Sequence, residues 1–570
     1  MKKKWVVKPP CEKGVVEDLS KQLNINCVLA SLLVQRGITT FEEARNFFRP
    51  ELKMLHDPFL MKDMDKAIDR IDAAMRQKEK IVIYGDYDVD GTTAVSLVWL
   101  FFKARYEHIS FYIPDRNLEG YGISFKGIDW AKENGFTLII ALDCGIKAND
   151  KIDYANKLGV DFIICDHHRP GTEIPDAVAV LDPKRDDCSY PYKELSGCGI
   201  GFKLVQGYAQ KHNLGFEILE PFLDLVAVSI AADIVPITGE NRILAYYGLK
   251  RINSKPRAGI KAIIEVSGYK KELAISDVVF TIAPRINAAG RIESGNQAVE
   301  LLISDCADSA KFKGDDINKQ NITRKSLDQS ITEQALALIA QDEKFLERKS
   351  TVLYGPEWHK GVIGIVASRI MSEWHYRPTI ILTGNNGHVN GSARSVKDFD
   401  IYNAIESCSD LLEQFGGHMY AAGLTLKPEN VEAFRERFEE VVSSTIEDRM
   451  LVREIEIDAE LKLSDITQKF YNILKQFAPF GPGNMAPVFK TADVSDTGYC
   501  RMVGNKIPGH LKLTLKEKGH KKEVDGIAFQ LGERLKEIQG KQTFDICYHI
   551  EENIFRDERN LQLNIKDIQF

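Results

Sequence analysis

Three aspartates stand at alternate positions after a short apolar segment, in the stretch IVIYGDYDVDGTTA. They are Asp86, Asp88 and Asp90, and a glycine follows them. Like charges this close raise one another's pKa, so the cluster needs either solvent or a positively charged partner. A solvated turn is the simpler interpretation. A calcium loop of the EF-hand type fits less well, because that loop ends in a glutamate and lies between helices, whereas here Thr92 and Thr93 follow a strand-like segment.

More carboxylates and imidazoles follow other apolar segments of the first half. Asp143 ends one segment, and Asp166, His167 and His168 end another. Taken singly, Asp143 is compatible with a helix cap and the other three with a polar strand end. Five such segments, rich in Ile and Val, alternate with helix-like stretches, which predicts βαβ units and a parallel sheet. They are residues 80–86, 109–115, 137–143, 161–168 and 177–183.

The predicted sheet would bring these side chains together, since ligands bind beyond the carboxyl ends of parallel strands. Asp233 adds a carboxylate to the apolar stretch 222–236, where an unpaired charge is costly. Carboxylates and imidazoles without a thiolate favour Mn²⁺ or Mg²⁺. A pair of such ions is the usual apparatus for in-line attack on a phosphate ester. The sequence therefore predicts a site for two Mn²⁺ or Mg²⁺ ions.

The rest of the chain predicts an α/β architecture with several parts. A long, charged, helical stretch precedes a second α/β unit, and alternating polar and apolar runs after residue 453 indicate an antiparallel β domain, with a barrel as one form of it. The expected parts are an N-terminal helical segment (1–60), a catalytic domain with the parallel sheet (61–300), a connector helix (301–349), a smaller α/β domain (350–452) and the β domain (453–570).

Four short stretches, GDYDVDGTTA, ALDCG, CDHHRP and AADIVP, resemble in this order the motifs of the DHH phosphoesterase superfamily. Further stretches resemble its bacterial 5′→3′ exonucleases specific for single-stranded DNA: PRINAAGRI, GSARS, FGGHMYAAGL and FAPFGPGNMAPVF, together with residues 36–67. The resemblance covers nearly the whole chain. It implies a DHH catalytic domain, a substrate-binding domain of the DHHA1 type and a C-terminal barrel of the oligonucleotide-binding (OB) type.

The resemblance also implies roles for residues at matching positions. Asp143 would bridge two ions, and His168 would face the scissile phosphate. Asp90 joins these two as a candidate catalytic residue, although Asp90 and Asp166 are equally compatible with orienting the ligands. The implied metal ligands are Asp86, Asp88, Asp143, His167 and Asp233.

A substrate site is implied in the second α/β domain. An arginine, hydroxyls, backbone amides and an imidazole make a suitable anion pocket, although each stretch alone is also compatible with a turn, a helix cap or an ion pair. The candidates are Ser392, Arg394, Ser395, Gly416, Gly417 and His418, with Arg285 and Arg291 lining the same cleft. In the β domain, the candidate DNA contacts are Lys506, His510, Lys512, Phe529 and Phe555, each of which could instead be an ordinary surface or core residue.

Composition limits the remaining choices. The chain has 570 residues, of which 44% are hydrophobic and 28% charged, and it has no apolar run long enough for a bilayer. Ten scattered cysteines without a C-x-x-C pair predict a reducing cytoplasm. We expect a monomer that binds single-stranded DNA, with a helicase or a single-strand-binding protein as candidate partners. The alternatives are a phosphodiesterase for short oligonucleotides or cyclic dinucleotides, and a catalytically silent replication scaffold. The complete set of motif aspartates and histidines argues against the scaffold.

Overall fold

The computed structural model describes residues 3–116, 118–504, 509–519, 522–539, 543–555 and 558–570. It confirms the expected architecture of a parallel-sheet α/β domain, a long connecting helix, a second α/β domain and a C-terminal β-barrel.

A five-stranded, all-parallel sheet lies at the centre of the first domain. Its strands are almost entirely buried, because helices pack on both faces, and this explains their continuous Ile, Val and Leu content. The strand order reverses between Lys80–Gly85 and Phe136–Leu142, and this switch point is where α/β sheets bind ligands. In spatial order the strands are Ile109–Tyr112, Lys80–Gly85, Phe136–Leu142, Asp161–Cys165 and Ala179–Leu181.

Helices complete the first domain, and several begin at side-chain caps. Asp88, Ser124 and Ser196 each accept a hydrogen bond from the backbone N–H three residues further on. The helices that flank the sheet are Met64–Arg76, Val89–Lys103, Phe125–Glu133, Asn149–Leu158 and Gly197–Lys211. A helical layer then follows, with Leu223–Ala232, Gly239–Ser254, Ala258–Ser267, Ile275–Asp277, Ala283–Ile292 and Gly295–Leu302.

The connector is one helix, Ala307–Gln341, which leads into the second domain. At 1.5 Å per residue, it is about 50 Å long. The second domain has a mixed five-stranded sheet with the order Leu412–His418, Ala421–Leu426, His388–Arg394, Thr379–Asn385 and Thr351–Tyr354. Its helices are Ile363–Arg369, Ile401–Glu406 and Val431–Thr445.

The C-terminal domain is a closed barrel. Strand Phe489–Asp496 pairs with both Phe544–Phe555 and His510–Glu517, and the second pairing closes the sheet. The strand order is Ala459–Glu460, Phe489–Asp496, Phe544–Phe555, Glu558–Gln569, Glu523–Ala528, His510–Glu517 and Arg501–Val503. Helices Gln468–Leu474 and Leu535–Gln539 complete it.

The N-terminal segment packs on the barrel. Strand Lys4–Val7 pairs in parallel with Glu454–Ile457, which the sequence pattern had assigned to the β domain itself. Leu29 and Leu33 share one buried core with Phe470 and Phe477 of the C-terminal part. The helices of this segment are Lys13–Leu23, Cys27–Val34 and Phe41–Phe48. Within the described residues, none of the helices has the length and apolarity needed to cross a bilayer.

Candidate active site

The carboxylates and imidazoles predicted from the sequence meet at the switch point of the parallel sheet. Asp86 and Asp88 link strand Lys80–Gly85 to the next helix, and Asp143 directly follows the adjacent strand. Asp166, His167 and His168 follow the strand beyond it. Asp233 is the C-terminal cap of helix Leu223–Ala232 and approaches from the helical layer.

Backbone geometry explains how Asp143 enters this crowded position. Asp143 has φ of 60°, the left-handed region that few non-glycine residues occupy. The helix that begins at Gly197 approaches so closely that a Cβ on this glycine would lie 2.6 Å from the Cβ of Asp143. Asp143 also donates its backbone N–H to the Cys165 carbonyl at 2.9 Å. The backbone therefore fixes the position of the Asp143 carboxylate, and this position leaves room only for a glycine at residue 197.

His167 lies at the centre of the cluster. Its Nε2 atom is 3.2 Å from an Asp143 carboxylate oxygen, 3.6 Å from one of Asp233 and 3.8 Å from one of Asp90. Two sets of ligand atoms, each lying within 4.8 Å of one another, could hold an ion: Asp143, His167 and His168, and Asp90, His167 and Asp233.

The electrostatics of the cluster fit a divalent cation. Burial, and then the charge of neighbouring aspartates, raises the pKa of Asp86 and of Asp233 to about 8. The same causes raise the pKa values of Asp88 and Asp143. Among the residues that the structure describes, Asp86 Oδ2 and both ring nitrogens of His167 are buried and have no hydrogen-bond partner. Mn²⁺ or Mg²⁺ would neutralise the charge of these four carboxylates, and the unpaired oxygen and nitrogen atoms are suitable ligands for such an ion.

His168 occupies a different environment from His167. Its side chain is half-exposed, and its Nδ1 atom lies 2.7 Å from Asp166, while Nε2 is 3.3 Å from the Tyr121 hydroxyl. Burial lowers the pKa of His168, but the hydrogen bond and charge of Asp166 outweigh burial and raise this pKa to about 9. For Asp166, burial is likewise outweighed by His168 and by the Ile146 N–H, so its pKa falls to about 2. Asp166 therefore orients the His168 ring, and its expected role of orienting metal ligands stays a prediction.

Asp90 is brought to the cluster, but its oxygens are already occupied. They accept hydrogen bonds from the backbone N–H groups of Gly197 and Cys198, both at 2.7 Å, and from the Ser229 hydroxyl at 2.6 Å. These contacts fix the helix opposite Asp143 and the helix that ends in Asp233. A catalytic role for Asp90 stays a prediction, and its contacts favour the alternative of orienting the ligands.

A group of arginines from both α/β domains lies beside the metal cluster. Arg291 donates to the Gly361 carbonyl at 3.1 Å. Burial, and then the charges of Arg116, Arg324 and Arg394, lowers the pKa of Arg291 to about 10, while Asp88 acts in the opposite direction. Arg291 bonds the second domain at Gly361, and its neighbour Gly290 packs so closely on Tyr87 that an added Cβ would lie 2.6 Å from the Tyr87 carbonyl oxygen, so this arginine lies between the second domain and the aspartate-bearing loop.

The second domain contributes Ser392 and Arg394 from one face of strand His388–Arg394. Arg394 Nη1 donates to Ser392 Oγ at 3.1 Å. Burial and then Arg116 lower the pKa of Arg394, and the same causes lower that of His359. Cations that lower one another's pKa in this way form a pocket in which a bound anion would offset their repulsion.

The GGH stretch forms an edge strand rather than a helix cap. Gly416, Gly417 and His418 are exposed in strand Leu412–His418, and His418 pairs with Ala421, which pairs on its other side with Arg394. Residues paired in this way point to the same face of a sheet. The structure therefore places His418 and Arg394 in one row, two strands apart.

Two predicted substrate residues make local contacts. The Ser395 hydroxyl is buried and donates to the Phe399 carbonyl at 2.7 Å, so it stabilises a turn. Arg285 donates to the Asn318 side chain, in the connector helix, and to the Thr281 carbonyl. The role of these two residues in substrate binding stays a prediction.

In the barrel, the rings of His510 and Phe529 contact each other at 5.1 Å, and Phe529 is half-exposed. Lys512 lies opposite Arg501 in adjacent strands. Lys506 is outside the described residues, as is the side chain of Phe555. The structure thus gathers three of the five predicted contacts in one domain, and their role in DNA binding stays a prediction.

Sequence reasoning missed three residues of the cleft. Arg116 and Tyr121 belong to the loop after strand Ile109–Tyr112. The Arg116 guanidinium lies 5.1 Å from the ring centre of Tyr87, the residue that stands between Asp86 and Asp88 in the sequence. His359 follows strand Thr351–Tyr354. Their position in the sequence could have identified them, because each residue follows the carboxyl end of a parallel strand.

Comparison with known proteins identifies the class that this fold and cluster define. Residues 80–230 match the family model for the DHH family, N-terminal domain, and residues 347–444 match the DHHA1 domain. The first two domains are therefore those of a DHH phosphoesterase. Residues 457–567 match the RecJ OB domain.

Full-length relatives define the family more narrowly. The single-stranded-DNA-specific exonuclease RecJ of Bacillus subtilis is 37% identical over 99% of this chain and 71% of its own length. The protein of that name from Escherichia coli is 33% identical over 95% of each chain. The crystal structure of RecJ from Thermus thermophilus in complex with Mn²⁺ superposes with a TM-score of 0.84, at 26% identity, over 100% of this chain and 79% of that one. The chain belongs to the RecJ family.

Proposed function

We propose that this chain is a metal-dependent exonuclease that hydrolyses single-stranded DNA in the 5′→3′ direction. The observation that carries the proposal is the juxtaposition of two sites of opposite charge. A cluster of aspartates and histidines lies at the edge of the parallel sheet, and the Arg291–Arg394 group lies beside it between two domains. Such a cleft holds a phosphodiester between metal ligands and a cationic pocket.

The residues that would hold metal are Asp86, Asp88, Asp143, His167 and Asp233. Mn²⁺ or Mg²⁺ bound there supplies an activated water and neutralises charge on the phosphate. The chain's own contribution is to fix the donor atoms. Burial keeps His167 neutral by lowering its pKa, so that its ring nitrogens remain available as ligands.

His168 is the proposed group that contacts the reacting phosphate. Asp166 accepts the hydrogen bond from Nδ1–H and favours the charged imidazolium. This leaves Nε2–H, beside the Tyr121 hydroxyl, to donate to a phosphate oxygen. A donor fixed in this way stabilises charge that develops during attack without having to reorganise.

Recognition of the strand end is assigned to Arg394, Ser392, Arg291 and Arg116, with His418 in the same row as Arg394. A terminal 5′ phosphate carries more charge than an internal diester and has an additional oxygen. Charge-assisted hydrogen bonds to it would hold the first diester over the metal cluster and so set the site of cleavage.

One assay tests the proposal as a whole. Single strands labelled at either end, and the matching duplex, are incubated with Mn²⁺, with Mg²⁺ or with EDTA. We expect mononucleotides released from the 5′ end of single strands, only when metal is present. Release from the 3′ end would contradict the polarity, and equal cleavage of duplex would contradict the strand specificity.

We also propose a cytoplasmic, monomeric protein that works with a helicase or a single-strand-binding protein. All ten cysteines are free, seven of them in buried positions inside the folded domains, which suits a reducing compartment. Light scattering on the purified protein measures the mass, and a dimer would contradict the monomeric state. Co-sedimentation with a single-strand-binding protein tests the partner.

A further inference from the structure

The segment that follows Asp233 is held between two domains. We name residues 234–238 the strap. On one side, the Pro236 carbonyl accepts hydrogen bonds from the Tyr192 hydroxyl at 3.2 Å and the Asn241 side chain at 3.0 Å. On the other side, Ile237 donates its backbone N–H at 2.7 Å to the carbonyl of Pro482, which belongs to the C-terminal part of the chain. The strap thus joins a metal ligand to the module that carries the barrel.

The C-terminal partner of the strap is a tight loop, residues 480–484. Gly481 and Asn484 exchange backbone hydrogen bonds of 2.9 and 3.1 Å. The buried Asn484 side chain donates to the Phe477 and Pro479 carbonyls, both at 2.8 Å. Its carbonyl oxygen accepts from Arg36 Nε at 2.7 Å, so the N-terminal segment supports the loop as well.

Close backbone approach lets this loop touch the strap. A Cβ on Gly481 would lie 2.5 Å from Ile237 Cγ1, and a Cβ on Gly483 would lie 2.9 Å from Thr238 Cγ2. Ile237 is buried in the core of the catalytic domain, so it cannot retreat without disturbing that core. Glycine at position 481 is therefore needed for the contact rather than for a special backbone angle.

The position of Asp233 depends on its backbone more than the positions of Asp88, Asp90 and Asp166 depend on theirs. The carboxylates of Asp88, Asp90 and Asp166 accept hydrogen bonds from backbone N–H groups. In the part of the chain that the structure describes, no N–H or O–H group donates to the Asp233 carboxylate, and its contact is His167 at 3.6 Å. The next residue, Ile234, has φ of 61°, so the chain turns sharply between the ligand and the strap.

We infer that the 480–484 loop is a positioning element for the metal site: by holding the strap, it sets Asp233 for metal binding, so that docking of the C-terminal module and metal affinity are coupled. This inference rests on the proposed role of Asp233 as a metal ligand. Substitution of residues that orient metal ligands without touching the metal commonly lowers metal affinity about 10-fold to 100-fold.

The test is Gly481→Ala in the full chain, with Mn²⁺ binding measured by calorimetry and by the Mn²⁺-induced rise in Tm. We expect the apparent affinity for Mn²⁺ to fall about 10-fold. A 5′-phosphorylated trinucleotide, too short to reach the barrel, should need correspondingly more Mn²⁺ for half-maximal hydrolysis. Gly14→Ala is the matched control, because its Cβ would meet nothing within 4 Å, and it should behave as the unmodified chain does.

A second substitution distinguishes the effect of the contact between residues 481 and 237 from an unspecific loss of stability. Ile237→Ala removes the atom that the new methyl group would meet, so the double variant should bind Mn²⁺ more tightly than Gly481→Ala alone. If Gly481→Ala does not fold, Asn484→Ala loosens the same loop without added bulk and should weaken Mn²⁺ binding as well. A folded variant of either kind with unchanged Mn²⁺ affinity would overturn the inference, as would a loss confined to long single strands.

Asp233→Asn distinguishes this inference from the proposed function. If Asp233→Asn leaves Mn²⁺ binding unchanged, the assignment of Asp233 as a ligand is wrong, and the coupling fails with it. If Asp233→Asn weakens Mn²⁺ binding and Gly481→Ala does not, the metal site stands and only the coupling is wrong.

Discussion

At the scale of single residues, the active site is a set of carboxylates whose charges oppose folding. Burial and mutual repulsion raise the pKa values of Asp86, Asp88, Asp143 and Asp233. Such groups release their protons reluctantly unless a cation is present. The same residues that enable metal binding are therefore a source of instability in the metal-free protein.

Substitution of Asp143 tests whether the residues that bind metal also destabilise the metal-free protein. Asp143→Ala should abolish cleavage, because this carboxylate lies at the centre of the proposed site, beside His167. Its Tm in EDTA should equal or exceed that of the unmodified chain, since one buried charge has been removed. Its Tm should also respond less to Mn²⁺. Near-normal turnover by a well-folded variant would rule out the metal assignment.

The pH dependence of stability follows from the same shifts. A carboxyl group whose folded pKa is raised stabilises the fold fully below its unfolded pKa, near 4, and this contribution is lost as the pH rises through the folded pKa. For Asp86 and Asp233 that loss extends to about pH 8. The Tm in EDTA should therefore fall between about pH 4 and 8, and Mn²⁺ should reverse the fall. Asp86→Asn should flatten the profile in EDTA, and an unchanged slope would contradict the assigned cause.

At the scale of elements, one arginine joins three parts of the chain. Arg242, in helix Gly239–Ser254, is buried and donates to the Phe47 carbonyl of the N-terminal segment and to the carbonyls of Phe477 and Ala478 before the barrel. It also lies 3.8 Å from the centre of the Phe47 ring. Burial, and then Arg36, lowers its pKa to about 9. Among the described residues, its hydrogen-bond acceptors are all backbone carbonyls.

Arg242→Gln should destabilise the protein, because several buried carbonyls lose their donor, at roughly 1–3 kcal/mol for each unsatisfied group. The N-terminal segment and the barrel should loosen together, since they share a core. Limited proteolysis should then cut near residues 50 and 453 sooner than in the unmodified chain. Lys250→Gln, an exposed change in the same helix, is the control. Resistance equal to that of the control would show that this arginine does not hold the parts together.

Local patterns predicted the individual elements better than their assembly. The predicted segments 137–143 and 161–168 coincide with strands Phe136–Leu142 and Asp161–Cys165, because a short apolar run with β-branched residues determines its own conformation. The GGH stretch, compatible with a helix cap from its sequence, is an edge strand because Ala421 pairs with it. The pairing of Lys4–Val7 with Glu454–Ile457 joins residues some 450 positions apart, and the hydrophobic periodicity of a short segment gives no information about such a contact. Most of the acidic and histidine cluster could be predicted because its residues follow parallel strands, whereas Asp233 follows a helix and the hydrogen bond from Ser395 to Phe399 is visible only in the fold.

At the scale of the whole molecule, the proposed substrate site is shared between the two α/β domains. The first contains the proposed metal ligands, and the second contains Ser392 and Arg394, while Arg116 and Arg291 influence both. A phosphate bound in this cleft would contact both domains. The proposed recognition of the strand end would therefore require both domains.

A single strand with a 5′ phosphate should be degraded faster than the same strand with a 5′ hydroxyl. The terminal phosphate offers more charge and one more oxygen to Arg394, and each charge-assisted hydrogen bond contributes roughly 1.5–3 kcal/mol. Arg394→Ala should shrink the difference between the two substrates more than it slows the hydroxyl strand. Arg437→Ala, an exposed arginine of the same domain, should preserve the difference. Initial rates with both strands, at saturating Mn²⁺, give the comparison. If the unmodified chain degrades both strands equally, or if Arg394→Ala slows both by the same factor, then Arg394 is a general contact with the DNA backbone. End recognition would then belong to Arg291 or Arg116, the two other arginines assigned to this role, and the same pair of substrates would test each of them.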